Sequence, residues 1–142
     1  MMTQAVLSDS QRSAIEEELR ACLASFDAAA NNADADRTFA YCSDMHKLGF
    51  IYNGTMIPSL DALVAFGREM FDQLQSQTHE TSELRIAVLA PNLATMTWHG
   101  NVTGTSKDGG TGRGVFARTF VWAKVEDDWK IIHMHASILP QA

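Results

Sequence analysis

The C-terminal end of the chain constrains its fold most, because it reads as two long β-strands joined by one tight turn. Residues 111–125 and 129–139 alternate along their length, which is the period of a strand. Glu126, Asp127 and Asp128 make the turn between them. Strands of about ten residues or more exceed the usual five or six, and long antiparallel strands twist and curl. We therefore expect a strongly curved hairpin.

Two further strands are predicted immediately before this hairpin. They cover residues 78–89 and 94–106, and Pro91 and Asn92 make the turn that separates them. Leu84, Ile86 and Val88 fall on one face of the first of these strands. Together with the hairpin, they predict a four-stranded antiparallel meander.

The first half of the chain is predicted to hold three helices and one short hairpin. The helices begin near Ser8 or Asp9, at Ala35 and after Ser59, and they end near residues 32, 42 and 75. Asn53 and Gly54 predict a type I′ turn between residues 48–52 and 55–57. This order defines an α+β fold, in which the helices pack on one face of a bent antiparallel sheet.

Composition indicates one globular domain over residues 1–142, with an ordered core at about residues 9–139. The formal net charge is −6 and the 11 basic residues are scattered, which argues against nucleic-acid binding. No apolar run approaches the ~20 residues that span a bilayer, and the first ten residues lack the features of a signal peptide. Cys22 and Cys42 are expected to be buried thiols in a reducing compartment, so we predict a cytoplasmic protein without membrane contacts.

The same C-terminal hairpin resembles a known family. Val121, Trp122 and residues 127–137, which read DDWKIIHMHAS, resemble the last hairpin of the nuclear transport factor 2-like superfamily. The nearest branches are the association (hub) domain of calcium/calmodulin-dependent protein kinase II and the ketosteroid-isomerase-like or polyketide-cyclase-like small proteins. The resemblance implies a cone-shaped, curved antiparallel sheet with the three N-terminal helices packed on its concave face. It also implies a homodimer through the convex sheet face and a deep pocket on the concave face. The likeness in fold covers nearly the whole chain, from about Asp9 to Leu139, whereas the matching motif is short and identifies a family rather than an activity.

Strand alternation assigns side chains to the two faces of the sheet. Arg118 shares a face with Phe116, Phe120 and Trp122, and aromatic residues belong in the core, so Arg118 is predicted on the concave side. There it either pairs with a helix carboxylate such as Asp44 or Glu69, or it binds a carboxylate or carbonyl of a ligand. Trp98 is predicted inward on the neighbouring strand, as core packing or as a pocket wall.

His133 and His135 are the most conspicuous polar pair in the hairpin. They share a face with Ile131 and Ser137, whereas Ile132, Met134 and Ala136 form an apolar face that suits the core. The two histidines are therefore predicted on the dimer face, together with His99. A zinc site needs a third ligand, and none is evident, so we expect neither a metal nor a cofactor. Ala136 stands where the hub domain has an arginine of its pocket.

The chemistry that the resemblance implies would use an acid and a base in the pocket. Asp44, His46 and Tyr52 are the candidate catalytic residues, and Arg118, Trp98, Tyr41 and Phe120 are the candidate ligand-binding residues. No Asp or Glu lies between Ala87 and Lys107, where isomerases of this type place a further acid. We therefore favour a protein that binds a small hydrophobic or weakly acidic molecule. The alternative is an isomerase, cyclase or hydrolase that works by general acid–base catalysis.

Overall fold

The structure of the chain is a computed structural model, and it describes residues 6–142. Residues 1–5, on which the expectation about a signal peptide partly depends, lie outside the described residues. Three helices and six strands follow one another in the predicted order. They are α1 (Asp9–Asn31), α2 (Ala35–Phe39), β1 (Phe50–Tyr52), β2 (Thr55–Ile57), α3 (Leu60–Phe71), β3 (Leu74–Ala90), β4 (Leu93–Ser106), β5 (Thr111–Val125) and β6 (Asp128–Gln141).

The six strands form one curved, unclosed sheet in the order β2-β1-β6-β5-β4-β3. All neighbouring pairs are antiparallel except β1 and β6, which run parallel. The predicted α+β fold is confirmed, and the parallel pair is the one departure from an antiparallel sheet. Asn53 and Gly54 both have positive φ, as the predicted type I′ turn requires.

The helices begin where short polar side chains cap them. Ser8 and Gln11 form a capping box at the start of α1, and the Ser59 hydroxyl accepts from the Ala62 N–H at the start of α3. The second helix ends earlier than predicted, at Phe39. The reason is that the next residues pair with β6: Ile131 donates to the Tyr41 carbonyl at 2.7 Å, and its own carbonyl accepts from Ser43 at 2.9 Å.

β3 begins at Leu74, four residues before its predicted start, and α3 ends correspondingly early at Phe71. Pairing with β4 extends back to Leu74, opposite Ser106, and Lys107 donates to the Gln73 carbonyl at 2.9 Å. Pairing with β4 thus places the segment that begins at Leu74 in a strand, although the sequence of that segment predicts a helix. This early part of β3 passes beside the end of α1, where it contributes to the site described below.

Four register shifts interrupt the alternation in the described sheet, and two of them change the faces expected for the histidine strands. Ser82 of β3 is an extra residue between the pairs Thr81–Gly100 and Glu83–His99. Ile132 is the corresponding extra residue of β6, so Ile131 turns inward and is fully buried. The expectation that Ile131 shares the outer face with His133 is therefore wrong, because the bulge inverts the alternation between these two residues. Met134 and Ala136 face inward as predicted.

The core lies between the inner face of the sheet and the helices. Its largest fully buried side chains include Trp122, Phe120 and Leu19. Gly67 of α3 lies against Phe39 of α2, since an added Cβ would come within 2.1 Å of that ring. The close contact that explains this glycine is thus with α2 and not with the sheet. Among the described residues, no helix has the length and apolar character needed to cross a membrane.

Candidate functional site

A cavity of about 240 Å³ lies between the inner face of the sheet and the helices. Its walls are mostly apolar and rich in aromatic rings, which come from the helices and from β1. The aromatic lining residues are Phe26, Phe39, Phe50, Tyr52, Phe66 and Phe71. Only a few polar side chains reach it, and Arg118 and His79 are two of them. Such a mixture, apolar walls with a few polar groups, is typical of small-molecule sites.

Arg118 lies on β5, opposite Trp98 of β4 and Ala136 of β6. Its side chain is 10% exposed, and its guanidinium carbon lies 4.7 Å from the centre of the Phe116 ring and 5.8 Å from that of Trp98. Two aromatic faces thus hold the guanidinium beside the cavity and stabilise its positive charge. The prediction that Arg118 faces the concave side is confirmed.

The guanidinium contacts a histidine that the sequence did not single out. His79 of β3 has its Nε2 2.8 Å from Nη2 of Arg118, and its Nδ1 2.7 Å from Oδ1 of Asn31. Because a guanidinium only donates, Nε2 accepts and the proton of the ring lies on Nδ1, from which it is donated to Asn31. Burial, and secondarily the charge of Arg118, lower the pKa of His79 to about 3. His79 is therefore neutral at pH 7.

The carboxylate nearest Arg118 is Asp27, on the last turns of α1. Its Oδ1 lies 3.6 Å from Nη1 of Arg118, so the two charges attract each other without a hydrogen bond. Both of these atoms are buried, and neither has a hydrogen-bond partner among the described residues. Burial raises the pKa of Asp27, and Arg118 opposes that shift. This pairing replaces the predicted one with Asp44 or Glu69.

Of the three predicted catalytic residues, only Tyr52 lines the cavity. Burial raises the pKa of its phenol, and Arg118 opposes that shift, so Tyr52 is protonated at pH 7. Oδ2 of Asp44 accepts from the Leu60 N–H at 2.8 Å and caps α3, and His46 is exposed on the connection before β1. The structure therefore does not bring Asp44 and His46 together with Tyr52 in the cavity, because both belong to the connection that leads into the first hairpin.

The other three predicted ligand contacts lie near the cavity but do not line it. Trp98 and Phe120 are buried in the core, with their ring centres 4.6 Å apart. Tyr41 is half-buried against Phe26 and lines a separate surface depression beside Lys130. Trp98 acts on the site through Arg118, whose guanidinium it covers.

The outer face of the sheet carries the histidines predicted there. His99 and His135 line a shallow depression together with Glu83 and Arg85. His133 is half-buried, and its Nδ1 lies 2.9 Å from the Gly49 carbonyl oxygen. The three therefore point away from the cavity, as the alternation predicts.

Two signals in the sequence point to the site residues that alternation alone misses. Asp27 and Asn31 continue the apolar stripe of α1 at helical spacing from Leu23, and a polar residue on a buried stripe indicates a polar partner. Gly100 within β4 marks a close approach of two backbones, since an added Cβ would lie 1.9 Å from the Glu80 carbonyl. The bulge at Ser82, opposite this glycine, turns His79 and Gln77 inward.

The SnoaL-like domain family matches residues 19–141, so the chain belongs to this family. Its fold is that of the nuclear transport factor 2-like superfamily. A superfamily protein from Salmonella enterica serovar Typhimurium superposes with a TM-score of 0.77 and 19% identity, covering 92% of this chain and 94% of that one. A Xanthomonas campestris protein, provisionally described as a calcium/calmodulin-dependent protein kinase II association domain, has a TM-score of 0.76 and 16% identity over 99% and 97% of the two chains.

A third solved structure is that of a Novosphingobium aromaticivorans protein, provisionally described as a scytalone dehydratase. It has a TM-score of 0.79 and 10% identity, and it covers 95% of this chain and 89% of that one. No curated protein matches the chain. At these identities the structural likeness shows the fold alone, so the activity has to be argued from the site.

Proposed function

We propose that this chain binds a small, largely apolar molecule that carries a carboxylate or carbonyl oxygen, with Arg118 as its anchor. The observation that carries this proposal is the buried Nη1 of Arg118, which has no hydrogen-bond partner among the described residues and belongs to a residue that lines an apolar cavity. A buried donor without a partner is costly, by about 1–3 kcal/mol and more for a charged group. A ligand oxygen that accepts from the guanidinium would lower that cost.

The size and lining of the cavity support a small apolar ligand. Its volume of about 240 Å³ lies just below the roughly 300–1,000 Å³ of pockets for drug-sized molecules. The rings of Phe39, Phe66 and Phe71 offer apolar contact along its length, and the Tyr52 hydroxyl offers a second donor. Such a site suits an acid or ketone with one ring or a short alkyl chain.

As long as Arg118 donates to its Nε2, the geometry of His79 argues against a general base at this position. A base needs a free lone pair, and the lone pair of Nε2 is already used by Arg118 at 2.8 Å. With its pKa lowered to about 3 by burial and by Arg118, His79 is also far from the value near 7 that suits a base. Binding is therefore favoured over catalysis as the function of the site.

The second candidate function is general acid–base catalysis, such as an elimination or an isomerisation, on a small hydrophobic substrate. It is favoured by one observation, that a carboxylate, an imidazole and a guanidinium meet at one place, in Asp27, His79 and Arg118. The Novosphingobium protein described as a dehydratase shares the fold. In this case Asp27, whose pKa burial raises, would be the base, and Arg118 would stabilise an oxyanion. Against it, Asp27 contacts the guanidinium but does not line the cavity.

The test of the binding proposal is a panel of benzoate, phenylacetate, 3-phenylpropanoate, hexanoate and octanoate, titrated by calorimetry at pH 6.5. We expect at least one acid to bind, and we expect Arg118→Met to weaken it by more than tenfold, because methionine keeps the apolar contacts and removes the donors. The matched control is Arg85→Met on the outer face, which should leave the Kd unchanged. Binding that survives Arg118→Met, or no binding by any acid, would contradict the proposal.

We also propose that the chain is a homodimer through the outer sheet face, on the side of His99, His133 and His135. Small and hydroxylated side chains, among them Ala117, Thr119 and Ser137, line the depression there and leave a surface on which a second sheet can pack. Sedimentation equilibrium tests this proposal. Ala117→Arg, which adds a bulky charge to the middle of the face, should convert a dimer into a monomer, and a wild-type monomer would contradict the proposal.

A further inference from the structure

The charged groups around Arg118 balance one another. Arg118 contributes one positive charge and Asp27 one negative charge, while His79 is neutral because its Nε2 accepts from Arg118. The sum is zero. Buried charges interact strongly and are costly when uncompensated, so this balance matters for what the site can take up.

An ionised carboxylate that binds at Arg118 would bring one additional negative charge to this site. The net charge would become −1 at a place where Arg118 is only 10% exposed and Asp27 is 21% exposed. A proton taken up from solvent would restore the balance. His79 is the group placed to accept it, because its ring lines the cavity and its Nε2 lies 2.8 Å from the guanidinium that the carboxylate would contact.

The geometry points to His79 as a second anion-binding group, which takes up one proton when an ionised carboxylate binds at Arg118. The cavity then selects ionised carboxylates over neutral head groups. The inference deepens the proposed function and rests on it. In the occupied site, one carboxylate oxygen accepts from Arg118, and the other accepts from the new Nε2–H of His79. The Nη2–H that had donated to His79 turns to the carboxylate, and the Nδ1–H continues to donate to Asn31.

The groups that face His79 allow this change. From β5, Arg118 disfavours the protonated ring, and the Phe116 ring lies 5.4 Å away, edge to face. From α1, Asn31 accepts from Nδ1 in either protonation state, and Asp27 offsets the charge of Arg118. From β1, Tyr52 lies close enough to Arg118 for each to affect the pKa of the other. A carboxylate at Arg118 adds the one charge that favours imidazolium, as an opposite charge within about 4–6 Å does.

The experiment is calorimetry of the tightest acid of the panel, and of its primary amide, between pH 5.5 and 8 in buffers of different ionisation enthalpy. We expect uptake of up to one proton per acid, a Kd that rises with pH by up to about tenfold per unit, and neither effect for the amide. His79→Gln keeps an acceptor for Arg118 but cannot titrate, so it should bind the acid more weakly, without proton uptake. The matched variant His46→Gln, on the exposed connection before β1, should behave as wild type.

Proton uptake that is absent from the wild type, or that persists in His79→Gln, would overturn the inference and leave the binding proposal standing. Failure of every acid to bind would overturn both. A second measurement does not depend on the folding of a variant. In the ¹⁵N spectrum of the wild-type histidines at pH 6.5, the acid should convert His79 from the neutral Nδ1–H form to the doubly protonated form, and an unchanged His79 in the acid complex would overturn the inference.

Discussion

The inner and outer faces of the sheet carry the same kinds of charged residue in different surroundings. On the outer face, Arg85 and Glu83 approach to 2.8 Å, with their side chains 79% and 53% exposed. On the inner face, Arg118 and Asp27 are 3.6 Å apart, with side chains 10% and 21% exposed. Within a single chain the shorter pair is the less consequential one, since water screens it. The burial of Arg118 and Asp27, more than the distance between them, makes this pair important.

The largest expected effect comes from removing one partner of the inner pair. Asp27→Leu leaves the buried guanidinium uncompensated. We expect this substitution to lower the free energy of unfolding by about 3–4 kcal/mol. This value is near the low end for buried pairs because Asp27 is partly exposed. Replacing both charges, as Asp27→Leu with Arg118→Met, should recover much of that loss. Urea denaturation measures both. Glu83→Leu on the outer face is the control and should change stability little, so a loss equal to that of Asp27→Leu would break the comparison.

The second prediction concerns the bulge that turns His79 inward. Gly100→Ala should cost about 2–3 kcal/mol, as overpacking does, because the new Cβ would meet a backbone carbonyl that no rotamer change can move. Gly112, on β5, has no atom within 4 Å of the position of an added Cβ, so Gly112→Ala is the matched control. Urea denaturation measures both variants. An equal effect of the two substitutions would show that the close approach at Gly100 does not hold the bulge.

The third prediction is a dependence of stability on pH that His79 produces. The unfolded chain protonates His79 below about pH 6.5, whereas the folded chain does so only near pH 3. The unfolded state therefore binds more protons in that window, and the stability contributed by His79 is lost as the pH falls. Between pH 7 and pH 5 this loss is about 2 kcal/mol.

The measurement is urea denaturation at these two pH values. His79→Gln should lack this part of the loss, while His135→Gln, exposed on the outer face, should keep it. If His79→Gln loses as much stability between pH 7 and pH 5 as the wild type does, His79 is not held neutral by its surroundings. The same data would then also remove the physical basis for proton uptake on binding.

The sequence predicts correctly for some side chains, and wrongly for others, which face of the sheet they are on. Alternation places Arg118, Phe116 and Trp122 on the inner side and His135 on the outer side, because β5 has no extra residue and β6 has none after Ile132. It fails at His79, where a single extra residue, Ser82, exchanges the two faces of β3. A bulge is decided by the pairing of two strands, so a pattern within one strand cannot reveal it.

The connection before the first hairpin shows a second limit of the sequence. Asp44 and His46 are near Tyr52 in sequence, but Asp44 instead caps α3. Whether a connecting segment points into a cavity depends on its tertiary contacts, and no periodicity reports them. The inward position of Asp27, in contrast, is predictable from the sequence, since Asp27 lies on the apolar stripe of a helix whose ends the sequence indicates closely.

The smallest expected effect separates two tyrosines on opposite sides of the cavity wall. Tyr52 lines the cavity and Tyr41 does not. Under the binding proposal, Tyr52→Phe removes one hydrogen bond to the ligand oxygen and should weaken acid binding roughly fivefold to tenfold, about 1 kcal/mol. Tyr41→Phe should leave the Kd unchanged. Calorimetry with the tightest acid of the panel measures both, and equal effects would mean that the Tyr52 hydroxyl does not contact the ligand.

The central claim is that the buried charged group at Arg118 binds an acid inside the cavity. A crystal structure of the complex with the tightest acid tests it most directly. We predict a carboxylate oxygen within about 2.7–3.2 Å of a guanidinium nitrogen of Arg118, and the apolar part of the acid among the phenylalanine rings. An acid bound on the outer face beside Arg85, or bound in the cavity with its carboxylate turned away from Arg118, would contradict the account.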